Sequence, residues 1–130
     1  MKPILLALLL LAGCSTMEPE TTLRLAKLEW RTATQCTLPL LSTVQLKQVV
    51  LPNPMEELGH AEQSTHSIVF DNRFYFLTTS ERISFFTHEL GHLLGLFHRP
   101  FPSIMFTPLD SRRYITGQDA ADVRSLQRCN

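Results

Sequence analysis

The eleven residues His88-Glu89-Leu90-Gly91-His92-Leu93-Leu94-Gly95-Leu96-Phe97-His98 constrain this chain more than any other feature. Positions four apart share a helix face, so a helix through the first half aims the imidazoles of His88 and His92 at one point. Glu89 stands beside them, off the line the two rings share. Gly95 can adopt a left-handed backbone conformation, end the helix and reverse the chain. Such a turn brings His98 back toward the other rings. Three nitrogen donors with one open tetrahedral position suit a catalytic zinc, and Glu89 is placed to act as a base on a water there without being a ligand. The plain alternative is an amphipathic core helix with incidental histidines. Five fixed residue types at a few per cent each make that coincidence roughly one in 10⁵ or rarer, so the metal reading is preferred.

Past this stretch, Ser103-Ile104-Met105-Phe106 places a methionine in a short turn after the third histidine. The pattern HExxHxxGxxH followed by such a turn resembles the metzincin clan of zinc endopeptidases. The resemblance implies one catalytic Zn2+ ligated by His88, His92 and His98, with Glu89 as general base and Met105 beneath the metal. It implies a peptide or protein substrate. The fold it implies is α+β, a minimal metzincin-like zincin domain: a small twisted mixed sheet packed on the active-site helix, with a C-terminal helix. Some metzincins place a Tyr two residues after the Met, but Thr107 stands there. Tyr114 is the candidate to reach the site instead, although a packed or surface Tyr is the plainer reading. Arg99, after the third His, matches no subfamily.

A more limited resemblance is to the matrixins. Leu58-Gly59-His60-Ala61 followed by Ile68-Val69-Phe70-Asp71 is similar to their Leu-x-His-Ala strand and the strand ending in Phe-Asp. It implies that Gly59, His60, Ala61 and Glu62 form a sheet edge that receives substrate by main-chain pairing. Matrixins hold a structural zinc with His residues from both strands. Here His60 matches, but Val69 replaces the second His, so no second zinc is expected. His60 and His66 read as surface or partly buried residues. Cys36-Thr37-Leu38-Pro39 is faintly similar to the inhibitory thiolate segment of matrixin pro-regions, but too little chain precedes Cys36 for it to serve as one.

The N-terminus reads as a targeting segment. Lys2 precedes an apolar run from Ile4 to Leu11, far short of the roughly 20 residues needed to cross a bilayer as a helix. Residues 1–13 are therefore expected to be a signal peptide. Leu11-Ala12-Gly13-Cys14 resembles a bacterial lipobox, which implies a lipid on Cys14 as the sole membrane attachment. Ordinary cleavage near Gly13, with Cys14 a spare thiol, is the alternative. Ser15 in place of Asp favours the outer membrane facing the periplasm, within the bacterial cell envelope. Residues 14–20 form an acidic tether, and residues 21–130 a single catalytic domain.

With Cys14 lipidated, Cys36 and Cys129 remain as a pair for a disulfide in an oxidising compartment. Closing so long a loop contributes about 4–5 kcal/mol in the chain-entropy model. Lys and Arg number 12 and Asp and Glu 12; this balance gives no broad attraction to nucleic acid or anionic lipid. No repeat is present, and a monomer is expected.

Leu23, Ala26 and Trp30 predict a helix over residues 21–33, capped by Thr21 or Thr22, with a strand as the alternative. Strands are expected at 44–51, 58–61 and 66–70, and Phe74 to Leu77 as a further extended piece. The active helix starts after Thr78, by a Thr78–Glu81 capping box or with Ser80 as cap. Ile83, Phe86, Leu90 and Leu94 should face inward, and Phe85 and Phe97 should be core or pocket wall. Pro108 and the Asp110 to Arg113 loop should lie near the pocket for the residue after the scissile bond. A final helix runs from Thr116 to about Arg128, with Val123 and Leu126 inward. A non-catalytic, zinc-stabilised lipoprotein binding peptide or envelope partners is the second reading. Zinc-dependent hydrolysis of a non-protein amide, such as a peptidoglycan cross-link, is the third.

Overall fold

The computed structural model describes residues 18–51 and 57–129. Cys14, the leader and most of the tether lie outside these residues. Helix α1 spans Pro19–Thr34, with Leu23, Ala26 and Trp30 as its buried stripe, so the strand alternative is excluded. It begins earlier than its composition suggests. Glu18, not Thr21 or Thr22, holds the N-cap position, with Pro19 the first helical residue, where a missing N–H loses no bond. The Thr22 hydroxyl instead bonds back to the Glu18 carbonyl at 3.3 Å. Pro19 and Glu20 therefore belong to the helix rather than the tether.

Three strands follow: β1 (Gln45–Val49), β2 (Gly59–Glu62) and β3 (Ser67–Asp71). They form one sheet in the order β1-β3-β2, with β1 parallel and β2 antiparallel to β3. All five residues of β3 are buried, as a central strand with both faces covered requires. The edge strands are half-buried to exposed, and the polar residues of β3, Ser67 and Asp71, stand at its two ends. With three helices and this mixed sheet among the described residues, the fold is α+β.

Phe74 to Leu77 is not extended. The Asp71 carboxylate accepts the Arg73 N–H at 2.9 Å and Nε at 2.8 Å, curling Asn72–Phe76 into a 3₁₀ turn. Local capping by a short carboxylate overrides the strand signal of an apolar run. Phe74 is thereby buried against Phe70 and Phe86, while Phe76 is left in solvent.

Helix α2 (Thr79–Leu93) opens with both halves of the Thr78–Glu81 capping box, so Thr78 and not Ser80 is the cap. It contacts α1, β2 and β3. Phe86, Leu90 and Leu94 are wholly buried and Ile83 partly so. The indole of Trp30 donates to the Thr87 carbonyl at 2.8 Å, fixing α1 to the helical turn that presents His88. Helix α3 (Gly117–Leu126) starts from a Thr116–Asp119 capping box. Val123 is buried as expected, but Leu126 is 54% exposed, its side chain resting against Gly95. Cys36 and Cys129 form the expected disulfide, 93 residues apart in sequence. Among the described residues no helix is long and apolar enough to cross a membrane.

Candidate metal centre

Helix α2 carries His88 and His92 on one face and stops at Gly95, whose φ of 103° only glycine adopts readily. Leu96 N–H bonds to the Gly91 carbonyl at 2.9 Å and Gly95 N–H to that of His92 at 3.0 Å, the two bonds of a Schellman ending. The chain reverses through them and delivers His98. His92 Nε2 then lies 3.1 Å from His88 Nε2 and 3.1 Å from His98 Nε2. The sequence placed these three rings together, and the structure does so.

The outer nitrogens decide what the inner ones can do. His88 Nδ1 lies 2.8 Å from the Ile104 carbonyl and His92 Nδ1 2.9 Å from that of Leu96. A carbonyl only accepts, so both Nδ1 atoms carry hydrogen and both Nε2 lone pairs point inward. Facing lone pairs repel unless a cation sits among them. Nitrogens about 2.0–2.1 Å from one tetrahedral ion stand roughly 3.3 Å apart, close to the spacing found. His88, His92 and His98 can therefore hold a metal ion; an all-imidazole set accepts several transition metals. Burial pushes the pKa of His88 down to about 3 and lowers that of His92, which keeps both imidazoles neutral and available as ligands.

Met105 is fully buried. A Cβ on Gly91 would come within 2.3 Å of its sulfur and 3.1 Å of the Trp30 ring. The methionine turn thus lies against the helix backbone between the two histidines, closer than any other residue at 91 allows. Its Ile104 carbonyl is the group that sets the His88 tautomer.

Glu89 is 6% exposed. Burial pushes its pKa up to about 8, against the pull of Arg113 and of the Ala61 main-chain hydrogen bond. Sequence reasoning placed Arg113 only in a loop. The structure buries it, with its guanidinium donating to the Phe106 and Ser84 carbonyls. Its Nη1 is also 3.1 Å from His88 Nδ1, but with Nδ1 donating to Ile104 both atoms are donors, so this contact is not a hydrogen bond. Burial lowers the Arg113 pKa to about 10, and Glu89 raises it. No periodicity marks a loop arginine that folds back, so the sequence held no signal for it.

These groups open into a cleft of about 590 Å³ whose rim includes Gly59, His60, Ala61, Gln63, Thr107 and Leu109. The Asp71 N–H bonds to the Leu58 carbonyl. By the alternation of an antiparallel ladder, Gly59 and Ala61 turn their main-chain groups away from β3, along the free edge. Glu62 ends this edge strand as expected, but its side chain does not line the cleft. It pairs with Lys47 at 3.0 Å instead. Gln63 takes the place, its amide donating to the His92 carbonyl.

His60 sits between Glu57 and Glu62 at 3.4 and 3.7 Å, and His66 beside Thr43 at 3.0 Å. Neither joins the triad, the one such cluster among the described residues. Phe97, expected in the core or pocket wall, is 84% exposed, because the reversal after Gly95 turns it outward. Tyr114 is exposed and bridges Ser103 through its backbone, away from the cleft. No protein-family model matches this chain, and no curated protein or solved structure matches it.

Proposed function

We propose that the chain is a zinc-dependent endopeptidase of the metzincin, matrixin-like kind. One observation carries this reading: three imidazole nitrogens lie within 4.8 Å of one another beside a buried carboxyl, in a cleft bordered by an edge strand. A zinc ion held by His88, His92 and His98 would polarise the scissile carbonyl and acidify a water. Glu89 takes the proton of the attacking water and returns it to the leaving amine nitrogen. A carboxyl whose pKa lies near neutrality suits both halves of that transfer. Arg113, buried beside Glu89, favours its ionised form and so limits how far burial raises its pKa. Gly59 and the Ala61 carbonyl pair with the main chain of an extended peptide and hold it alongside the histidines.

The lipobox-like sequence at Cys14 supports a lipid-anchored place in the bacterial envelope. The reading is tested with the zinc-loaded chain starting after Cys14 and a proteome-derived peptide library. Wild type cleaves it. Glu89→Ala abolishes cleavage and retains one zinc per chain. Full zinc occupancy without cleavage of any peptide would sink the endopeptidase reading. Peptide binding that survives Glu89→Ala, in a wild type that cuts nothing, would favour the binding lipoprotein, and release of fragments from purified sacculi would favour a peptidoglycan amidase.

A further inference from the structure

His88 and His92 are fixed by a buried helix. His98 lies beyond the helix end and is exposed. The contacts that hold it begin one residue later. Arg99 N–H bonds to the Met105 carbonyl at 3.1 Å, and its guanidinium spans to α3, with Nη1 3.0 Å from Asp119 Oδ1 and Nη2 on Asp122. Asp119 is wholly buried. Its Oδ2 also receives the Ser103 hydroxyl at 2.8 Å and the Thr116 N–H at 2.9 Å. Ser103 Oγ in turn accepts the Met105 N–H at 3.0 Å. One carboxylate therefore joins the segment after the third histidine, the methionine turn and the start of α3. Charge-assisted bonds of this kind are directional as well as strong.

We propose that Arg99 is a positioning residue for the metal centre: clamped by Asp119 and Asp122, it holds His98 in register with His88 and His92, which makes α3 the outer support of the third ligand. This rests on the reading of the three histidines as a metal site. Residues that orient ligands change metal affinity by about 10–100-fold.

The test uses the full chain with Zn2+ alone, its affinity read by competition with a chromophoric chelator, and the visible bands of the Co2+-loaded protein. Arg99→Ala is expected to weaken zinc binding by about 10–100-fold and to alter the Co2+ bands, and Arg99→Lys to recover part of both. Asp122→Asn, at a half-exposed carboxylate that leaves the Asp119 contact in place, gives a smaller loss and serves if Arg99→Ala does not fold. A purely structural role would lower the Tm of the metal-free and loaded forms alike; the clamp shrinks the rise in Tm that zinc produces. Wild-type affinity and unchanged Co2+ bands in Arg99→Ala, or in Asp122→Asn where that variant stands in, overturn the clamp alone. A wild type that takes up neither metal overturns the metal site, and the clamp with it.

Discussion

Helix α2 and strand β2 face each other across one cleft, and they are held in different ways. From Arg82 to Leu93 the helix buries almost every side chain, including His88 and Glu89. Trp30, Met105 and the Ile104 carbonyl each fix it from behind. All four residues of β2 are only half-buried, and among the described residues the strand has a neighbour on one side alone. The helix side holds the His88 and His92 nitrogens in place, which metal binding needs. The strand side turns Gly59 and the Ala61 carbonyl away from β3, which peptide pairing needs, while the Ala61 main chain also bonds to Glu89. Rigidity and availability are thus divided between two elements instead of being compromised in one.

The largest expected effect that would sharpen this contrast is at Trp30. Trp30→Ala empties a buried site and removes the indole bond to the Thr87 carbonyl, for a loss of about 3–5 kcal/mol in urea unfolding. A loss under about 1 kcal/mol would mean that α2 is not held from α1 at all.

Glu89 comes next. In the metal-free protein its pKa is raised to about 8 from an ordinary 4.5, so folding opposes its ionisation. Stability is greatest below the ordinary value, falls as pH rises between the two, and levels off above the higher one, by about 2–4 kcal/mol in all. Glu89→Gln should flatten that part of the profile in urea melts run across pH. A wild-type curve parallel to that of Glu89→Gln would show that the carboxyl is not buried as described.

The smallest effect belongs to the strand side. Lys47→Ala removes the solvent-screened Lys47–Glu62 pair and should leave the urea midpoint close to that of wild type. A loss as large as that of Trp30→Ala, in the same urea assay, would break the comparison by making the edge as load-sensitive as the helix.

The readings that held share a short physical range. The Thr78–Glu81 box, the start of the last helix at Thr116, the i,i+4 histidines and the turn at Gly95 are settled within one or two helical turns of backbone, where residue type and spacing suffice. The readings that failed depended on competing local bonds or on neighbours from elsewhere. Asp71 diverted Phe74 to Phe76 from an extended path, Pro19 started α1 ahead of the threonines, and the reversal after Gly95 turned Phe97 into solvent. The Cys36–Cys129 bridge was legible only because, with Cys14 assigned to lipid, no other partner remained.

The sequence by itself determined the chemistry available: three imidazoles and a carboxylate at spacings that a helix and a glycine turn bring together. Only the tertiary structure decided which nitrogen of His88 and His92 is free, how strongly Glu89 is desolvated, and that Arg113 and the Arg99–Asp119 pair stand behind the site. Those depend on carbonyls, charges and buried surface supplied by segments distant in the chain, and a long side chain reaching back from a loop leaves no periodic trace.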